Sequence, residues 1–342
     1  MKAKIAQNLF FDLLFEPIHA ALAFGEHIYA SNRCINSAPF NQQTPKTTSY
    51  IIHHSSYIIP HTSHIKMNPK LDTFFQTLEH QQLMQNVPIP PRAEAHRLAD
   101  ALFLFLFPLL SEEPKPARVQ YALLRHDLMR LLYPIMQEGK ESVGIIADGF
   151  FDQLPEVYEM LLEDAQAFFD FDPAATCIEE VIATYPGFYA IANYRISNLL
   201  HRLGAPLLPR FFAEHIHGKT GIDIHPAATI GRSFFIDHGT GVVIGATAVI
   251  GSKVKVYQGV TLGALQVDKS LSNVKRHPTI EDNCVLYANC TILGGKTVIG
   301  HDSVVGGNSW LTESVPPFSV VIHQSQVKVR TRPFDEPVNF VI

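Results

Sequence analysis

The sequence predicts an α+β protein, in which an all-α N-terminal domain precedes a parallel β-helix built of six-residue repeats. Two observations predict this fold class. Aliphatic residues recur every six residues over long stretches from Ile224 to Ile292, and helical spacing of apolar residues dominates from about Ala93 to Thr220. A period of six fits neither an α-helix nor a flat strand, whose periods are about 3.6 and 2 residues. It fits a triangular coil in which each flat side buries one aliphatic side chain.

The six-residue repeat keeps its phase over several coils. Glycine often follows the aliphatic residue, as in Ile230-Gly231 and Ile250-Gly251. The residues in phase are Ile224, Ile230, Ile236, Ile244, Ile250, Val256, Leu262, Ile280, Leu286 and Ile292. Because an ordinary Val/Ile-rich sheet would not hold strict phase over this length, the pattern indicates a solenoid.

The helical region is predicted from leucine spacing and from the positions of proline. One helix face is formed by Leu123, Leu124, Leu128, Leu131 and Leu132. Prolines then interrupt the region at Pro173, Pro186, Pro206 and Pro209. Since proline ends or kinks a helix, we expect several helices rather than one.

Composition divides the chain into four segments. Residues 1–66 are rich in Ser, Thr, Asn and His, and we interpret them as a poorly ordered or non-native extension, with translation from Met67 as one hypothesis. Residues 67–220 form the predicted α-helical domain, and residues 221–314 form the predicted β-helix. Residues 315–342 form a C-terminal tail that is Pro-rich and then extended.

Bulk properties exclude several partners. The chain has 342 residues, a formal net charge of -5 and no Lys/Arg-rich run, which argues against nucleic acid. The longest apolar run, Ala101–Leu110, is about half the ~20 residues that a membrane span needs. None of the four cysteines forms a CxxC pair, and Cys284 and Cys290 lie one repeat apart. We therefore expect buried thiols in a reducing cytosol, hence a cytoplasmic protein that does not bind membranes.

The β-helix repeat is interrupted twice, and both interruptions contain histidine. The step from Ile236 to Ile244 is eight residues instead of six, and the two extra residues lie within Asp237–Gly241. The second interruption is an excursion over Ala264–His277. Loops that leave a rigid scaffold often carry its function, so these segments are the first candidates for a site.

An Asp/His pair at the first interruption suggests acid–base chemistry. Asp223 and His238 are expected near the same corner of successive coils, since a full coil takes about 18 residues. A carboxylate beside an imidazole fixes its tautomer and stabilises the imidazolium, so that His238 can act as a general base. The alternative is structural, with Asp223 capping a turn and His238 packing at a corner.

A metal site is not predicted. The pair His215 and His217 has the spacing of a strand-type metal pair but lies where a helix is expected. A zinc enzyme on a trimeric β-helix would use two close histidines on the coils with four residues between them, and none between Gly221 and Leu311 has that spacing. The histidines of the N-terminal extension lack a matching set of Cys and carboxylate ligands.

Four ordered motifs give the chain a family resemblance. They are Gly-Ile-Asp-Ile-His-Pro-Ala-Ala at 221–228, Asp-His-Gly-Thr-Gly at 237–241, Gln-Gly-Val-Thr-Leu-Gly-Ala at 258–264 and Lys-Arg-His-Pro at 275–278. The segment Tyr-Pro-Gly-Phe-Tyr-Ala-Ile-Ala-Asn-Tyr-Arg at 185–195 fits the same pattern. Over about residues 172–317 the chain resembles the serine O-acetyltransferases, especially their longer bacterial branch. These are hexapeptide-repeat acyltransferases with a left-handed β-helix.

The resemblance implies a reaction and a site. Acetyl-CoA would be the co-substrate, without a metal, and the acetyl group would pass to the hydroxyl of L-serine to give O-acetylserine for cysteine biosynthesis. By analogy, His238 is the general base and Asp223 orients it. Arg276 and His277 match the binders of the serine carboxylate, and a cationic pair suits that role. The match for the ammonium end is Asp172 and Asp237.

The resemblance also implies a groove for the acyl donor and several partners. Small residues match the donor groove at Gly263, Ala264, Ala288 and Gly307, although a coil corner also demands small residues. We expect a homotrimer or a dimer of trimers. The C-terminal Ile342 matches the residue that enters the active site of O-acetylserine sulfhydrylase in this family, because a terminal carboxylate with an apolar side chain imitates an amino acid.

Two other functions remain open at this point. One is O-acetylation of a sugar or another small acceptor on the same β-helix. The other is a non-catalytic scaffold that only binds the sulfhydrylase. Asp172 and the Arg276-His277 pair favour an amino-acid acceptor, and the joint presence of Asp223, His238 and His277 favours an enzyme.

Overall fold

The fold is known from a computed structural model, which describes residues 68–84, 89–111, 115–136, 139–265 and 274–324. The predicted N-terminal extension, the hypothesis about Met67 and the C-terminal Ile342 lie outside the described residues. The helices are α1 (Pro69–Leu83), α2 (Arg92–Leu106), α3 (Ala117–Leu132), α4 (Ser142–Phe171), α5 (Ile178–Thr184), α6 (Pro186–Arg202) and α7 (Leu208–Thr220). A short 3₁₀ turn, Pro108–Leu110, follows α2.

Short parallel strands follow the helices. They are β1 (Asp223–Ile224), β2 (Thr229–Ile230), β3 (Phe235–Ile236), β4 (Val243–Ile244), β5 (Val249–Ile250), β6 (Lys255–Val256), β7 (Thr261–Gly263), β8 (Thr279–Ile280), β9 (Val285–Leu286), β10 (Thr291–Leu293), β11 (Val298–Ile299), β12 (Val304–Val305), β13 (Trp310–Leu311) and β14 (Val320–Val321).

The strand order gives a three-sided coil. Sheet A has the order β1-β4-β7-β10-β13, sheet B the order β2-β5-β8-β11, and sheet C the order β3-β6-β9-β12-β14. Successive strands in each sheet come three apart in the chain until the last strand of sheet C, so each coil adds one strand to each side. The predicted α+β fold class, with helices before a parallel β-helix, is confirmed.

The register confirms the repeat. Ile224 pairs with Ile244 and Ile244 with Leu262, so the aliphatic residues stack directly over one another inside the coil. All ten residues predicted to be in phase are buried. Beyond Leu293 the repeat continues, with Ile299 pointing inward and stacked on Ile280. Each buried aliphatic side chain contributes about 1.5–3 kcal/mol relative to its exposed state.

The helices pack directly on the first coil. Phe168 of α4 contacts Phe235 of β3 with ring centroids 4.8 Å apart. Arg195 of α6 and Asp164 of α4 form a buried bidentate pair, whose guanidinium also donates to the carbonyl of Gly231 at 2.8 Å. Helix α7 ends at Gly221, whose φ of 71° forms a left-handed cap and leads straight into β1.

Two further predictions can be compared with the structure. Cys284 and Cys290 are free and fully buried, as expected. Burial raises the pKa of the Cys290 thiol to about 12. Among the described helices, none is long and apolar enough to cross a membrane. The apolar run Ala101–Leu110 is only partly helical, because α2 ends at Leu106 before Pro108.

Candidate active site

The coil has two corners that matter for the site. At the C–A corner the chain passes from sheet C to sheet A, through residues 237–242, 257–260, 287–290 and 306–309. At the A–B corner it passes from sheet A to sheet B, through residues 225–228, 245–248, 264–278 and 294–297. The first interruption of the repeat therefore falls at the C–A corner and the second at the A–B corner.

Left-handed backbone conformations build the first interruption. His238, Gly239 and Gly241 have φ angles of 55°, 78° and 80°. A Cβ on Gly239 would lie 2.4 Å from Cδ1 of Ile222, so only glycine fits there. The extra turn leaves the His238 side chain 71% exposed. The imidazole is therefore accessible to a substrate at the C–A corner.

Asp172 is held rigidly at the end of helix α4. Its Oδ1 accepts the backbone N–H of Ala174 at 2.8 Å, and its Oδ2 accepts the hydroxyl of Tyr185 at 2.6 Å. That hydrogen bond, together with burial and the charges of Asp172, Glu180 and Asp237, raises the pKa of Tyr185 to about 12. The charges of Asp172 and Asp237, two of the predicted site residues, thus both raise the pKa of the Tyr185 hydroxyl.

A glycine brings the helices to the C–A corner. A Cβ on Gly187 of α6 would lie 2.1 Å from the carbonyl oxygen of Ile236, the residue before Asp237. The backbones of α6 and β3 therefore touch, and only glycine permits this approach. As a result the structure brings Asp172, Tyr185, Asp237 and His238 into one region. Tyr185 and Gly187 were not predicted as site residues, although both lie in the Tyr-Pro-Gly-Phe segment that carried the resemblance.

Asp223 lies at the expected corner but does not contact His238. Gly241 donates its backbone N–H to the carbonyl of Gly221 at 2.9 Å, so the two coils stack where Asp223 begins β1. Among the described carboxylates, the one within 4 Å of the His238 imidazole is Asp237, with Oδ1 3.8 Å from Nδ1. Catalytic hydrogen bonds are often long without substrate and tighten in the complex, so the orienting role of Asp223 stays a prediction.

Arg276 and His277 return the second interruption to the coil at the A–B corner. His277 is only 8% exposed and packs on Gly245. Burial, with the charges of Arg276 and Lys275, lowers the pKa of His277 to about 4. At neutral pH this residue is therefore an uncharged donor. The residue types Arg276 and His277 predicted a cationic pair, but burial keeps His277 neutral, and that burial is visible only in the fold.

The predicted site residues form two groups in one chain. Gly241 and Gly245 mark the two corners of the second coil, and four residues of extended chain correspond to roughly 13 Å. His238 lies at the first corner and His277 is fixed against the second. The two groups of one chain are therefore separated by one side of the coil.

The predicted acyl-donor residues are divided in the same way. Ala288 and Gly307 lie at the C–A corner, where Asn308 donates its N–H to the carbonyl of Ala288 at 3.0 Å. Gly263 ends β7 and Ala264 begins the second interruption at the A–B corner. A Cβ on Gly263 would lie 2.8 Å from Cδ2 of Leu293, so packing alone also explains this glycine.

The described histidines outside the site have other partners. No group of three or more His, Cys, Asp or Glu side chains within the described ranges could hold a metal ion. His215 lies on helix α7, where its Nε2 is 3.0 Å from Asp100. His225 lies at the A–B corner, and its Nδ1 accepts the backbone N–H of Ala227 at 3.0 Å.

Acidification below pH 6.5 is expected to destabilise the fold through His225 and His277. Burial, assisted by nearby cationic groups, lowers both pKa values to about 4. An unfolded histidine has a pKa near 6.5, so the unfolded chain binds more protons between pH 6.5 and 4 and the free energy of unfolding falls as pH falls. Each unit of depression corresponds to about 1.4 kcal/mol.

Urea unfolding at pH 7.5 and pH 5.0 would measure this effect. The midpoint should be lower at pH 5.0, and His225→Asn should reduce the difference. Equal midpoints for the unmodified chain at the two pH values would contradict the expectation.

Comparisons with known proteins agree with this architecture. No protein-family model matches the chain. A plasmid serine acetyltransferase of Synechococcus elongatus is 48% identical over 195 residues, which cover 56% of this chain and 60% of the relative. The serine acetyltransferase of Bacillus subtilis is 47% identical over 165 residues, which cover 48% of this chain and 74% of the relative. The chain thus spans less than two thirds of the first relative's length.

Solved structures give the same result. The crystal structure of serine acetyltransferase isoform 3 of Entamoeba histolytica in complex with cysteine has a TM-score of 0.63 and 30% identity, covering 77% of this chain and 96% of that chain. Serine acetyltransferase 1 of the same organism, in complex with L-cysteine, has a TM-score of 0.61 and 27% identity. That match covers 74% of this chain and 100% of the solved chain.

A parallel β-helix with helices packed on its first coil is the fold class that this chain shares with the solved serine acetyltransferase structures. The Bacillus subtilis serine acetyltransferase is 47% identical over 74% of its own length, which is enough to show the family of this chain. The chain belongs to the serine acetyltransferase family.

Proposed function

We propose that this protein is a serine O-acetyltransferase, which transfers the acetyl group of acetyl-CoA to the hydroxyl of L-serine and so supplies O-acetylserine for cysteine biosynthesis. The observation that carries the proposal is the pair of carboxylates around Tyr185: Asp172 accepts its hydroxyl, and Asp237 also raises its pKa and lies 3.8 Å from the exposed imidazole of His238. A site with two carboxylates suits an acceptor that carries an ammonium group next to its hydroxyl.

The proposed mechanism uses His238 as a general base. Its imidazole removes the proton of the serine hydroxyl while the oxygen attacks the carbonyl carbon of the thioester. The C–O bond forms, the C–S bond then breaks, and the imidazolium returns the proton to the leaving thiolate of CoA. Asp237, whose Oδ1 lies 3.8 Å from Nδ1 of His238, can stabilise the imidazolium, and we propose that Asp223 joins it in the substrate complex.

Recognition of the acceptor follows from charge. Asp172 and Asp237 bind the ammonium group, while Arg276 and the Nε2–H of neutral His277 bind the carboxylate. Two of the structural relatives are complexes with cysteine, whose ammonium and carboxylate are the same as those of serine. A sugar acceptor would leave these charged groups unpaired, which disfavours it.

We propose that acetyl-CoA lies along small residues at both corners. Gly263 and Ala264 provide close approach at the A–B corner, and Ala288 and Gly307 provide it at the C–A corner. Glycine and alanine leave backbone amides accessible to the amide groups of the pantetheine arm.

Product analysis by mass spectrometry, after incubation with acetyl-CoA and L-serine, tests the activity. O-acetylserine is the expected product, and recovery of unmodified serine would support the non-catalytic scaffold instead.

The division of the site between two corners supports a homo-oligomer. Cyclic assembly of three copies around a common axis brings the C–A corner of one copy beside the A–B corner of the next. Each active site would then combine His238 and Asp172 of one copy with Arg276 and His277 of its neighbour. We therefore propose a homotrimer as the smallest active assembly, either alone or as half of a dimer of trimers.

Mixed trimers of two inactive variants are expected to regain activity. In a random mixture of His238→Ala and Arg276→Ala chains, about a quarter of all sites between copies have both residues intact, and in the mixed trimers alone about one site in three does, given three equivalent interfaces. Co-expression of the two variants with different tags, followed by two-step purification and assay at low serine, measures this. Activity no higher than that of either variant alone would place both halves of the site in one copy.

Tyr185→Phe is expected to raise the KM for L-serine about three- to tenfold with little change in kcat, because a hydrogen bond to a charged group contributes ~1.5–3 kcal/mol and part of it orients Asp172. Steady-state kinetics at saturating acetyl-CoA would measure this. Tyr194→Phe is the matched control, since its hydroxyl donates to the carbonyl of Ala228 over the same 2.6 Å. That variant should lower thermal stability and leave KM unchanged. Equal KM values for both variants would contradict the role of Tyr185.

Two proposals concern partners and location. Binding of O-acetylserine sulfhydrylase through Ile342 stays a prediction, because that residue lies outside the described part of the chain. A cytoplasmic location is supported by the free thiols of Cys177, Cys284 and Cys290, since disulfides are rare in a reducing cytosol.

A further inference from the structure

The register of sheet A shows an unusual equivalence at the A–B corner. Ile224 pairs with Ile244, so His225 and Gly245 occupy the same corner position on successive coils. His225 folds back so that its Nδ1 accepts the backbone N–H of Ala227, two residues further on. Gly245 has no side chain with which to do the same.

His277 occupies the place of the missing side chain. A Cβ on Gly245 would lie 2.0 Å from Cδ2 and 2.1 Å from Nε2 of the His277 ring. The Nδ1 of His277 accepts the backbone N–H of Thr247 at 3.1 Å, and Thr247 is two residues after Gly245. The imidazole from the second interruption therefore makes, on the second coil, the contact that His225 makes on the first.

The Thr247 hydroxyl determines the tautomer of His277. Its oxygen accepts the backbone N–H groups of Arg276 at 2.9 Å and His277 at 3.0 Å, which uses both of its lone pairs. Its proton is then available to Nδ1 of His277, 2.8 Å away. Because Nδ1 faces two donors, the ring proton must reside on Nε2.

Lys275 also joins the segment containing Arg276 and His277 to Thr247 through hydrogen bonds. Its ammonium donates to the carbonyl oxygens of Thr247 at 2.8 Å and His277 at 2.7 Å. The residues on both sides of Arg276 are thus tied to the corner that carries Gly245 and Thr247. The position of Arg276 along the coil depends on these bonds.

We propose that Gly245 and Thr247 are positioning residues of the acceptor site, which form a socket that holds His277 as a neutral Nε2–H donor. Gly245 supplies the space for the ring and Thr247 fixes its tautomer. The socket also places the Arg276 backbone, so the two groups assigned to the serine carboxylate are set by one corner. This inference rests on the proposed function for the identity of the acceptor, but the socket itself is independent of it.

Three variants test the socket. Thr247→Val removes the hydroxyl at nearly constant shape, and Thr247→Ser retains it. Gly245→Ala places a methyl group where the ring lies. Thr229→Val is the matched control, because Thr229 is an exposed threonine on the first coil with no described side-chain hydrogen bond. Thermal unfolding of each variant verifies that the fold is retained.

The kinetic readout separates positioning from a general loss of structure. Thr247→Val should raise the KM for L-serine about tenfold or more, as expected when a hydrogen-bonded donor to a charged group is lost, while kcat changes less. Thr247→Ser should restore KM to within about threefold, since its hydroxyl makes the same bonds. Gly245→Ala should raise KM at least as much as Thr247→Val. A KM for Thr247→Val equal to that of Thr229→Val would overturn the proposal.

A second readout does not require activity. Diethyl pyrocarbonate modifies accessible neutral imidazoles, and mass spectrometry of the peptide containing His277 measures the rate at that residue. Modification should be slow in the unmodified chain and in Thr247→Ser, and faster in Thr247→Val and Gly245→Ala. If the unmodified chain fails to acetylate serine but shows this pattern, the proposed function fails and the socket stands. Equal rates at His277 in all variants would overturn the socket.

Discussion

Replacing His238 by alanine is expected to lower kcat for acetyl transfer to L-serine by a factor on the order of 10²–10⁴. Among the described residues of the C–A corner, His238 carries the exposed imidazole, with Asp237 Oδ1 3.8 Å from its Nδ1. Without it, the serine hydroxyl must lose its proton to water, while the acyl donor and the ammonium site are unchanged. Binding of acetyl-CoA, measured by calorimetry, should therefore remain as it is in the unmodified chain.

His301→Ala is the matched control for this prediction. His301 is also exposed on the β-helix and lies 2.8 Å from the neighbouring carboxylate of Asp302, but it lies between sheets B and C, at a corner where neither interruption falls. This variant should retain full activity. If His238→Ala keeps the kcat of the unmodified chain, the base has been assigned to the wrong residue.

Replacing Arg195 by leucine is expected to destabilise the protein by about 3–5 kcal/mol, the usual cost of leaving one partner of a buried ion pair uncompensated. Asp164 is fully buried, and its carboxylate also accepts the backbone N–H of Phe234 at 2.9 Å. The Arg195 guanidinium further donates to the carbonyl of Gly231. Its loss removes the hydrogen bonds by which α6 holds Asp164 of α4 and the carbonyl of Gly231 in the first coil.

Equilibrium urea unfolding would measure that change. Arg232→Ala is the matched control, because Arg232 pairs with Glu163, the residue next to Asp164, but both side chains are more than 40% exposed. Such a surface pair contributes about 0–1 kcal/mol. The double variant Arg195→Leu, Asp164→Leu should recover part of the lost stability, since no buried charge remains. Comparable effects of Arg195→Leu and Arg232→Ala would contradict this description of the interface.

The β-helix could be predicted from the sequence because its rule is local. Each coil repeats the same inward position, so a period of six at Ile224, Ile230 and Ile236 defines the three sides and their order. The two interruptions could be located in the sequence for the same reason, because the six-residue spacing is broken there. Helix ends were also readable where proline or glycine marks them, as at Pro186 and Gly221.

The details of the site could not be predicted because they depend on contacts distant in the chain. Tyr185 donates to Asp172 across a helix, and His277 fills the space at Gly245 thirty-two residues earlier in the sequence. The neutral state of His277 results from burial, which a motif does not show. A motif gives residue types in order, whereas the register between coils decides which of them meet.

The separation of the site into two corners is another property of the fold. The sequence motifs predict that Asp237 and Arg276 belong to one site. In a single chain, however, Asp237 lies at the C–A corner and Arg276 at the A–B corner. The proposed trimer reconciles the two, because the corner that one copy lacks is supplied by the next. Mixed trimers of inactive variants therefore test the geometry independently of the chemistry.

The most direct test of the central claim is thiol release from acetyl-CoA by the purified full-length chain, with L-serine compared against D-serine, homoserine and a sugar. We expect fast release with L-serine and at most slow release with the others, because the proposed site assigns the carboxylates of Asp172 and Asp237 to its ammonium group and Arg276 to its carboxylate. Equal or faster release with the sugar, or no release with any acceptor, would contradict the assignment of this protein as a serine O-acetyltransferase.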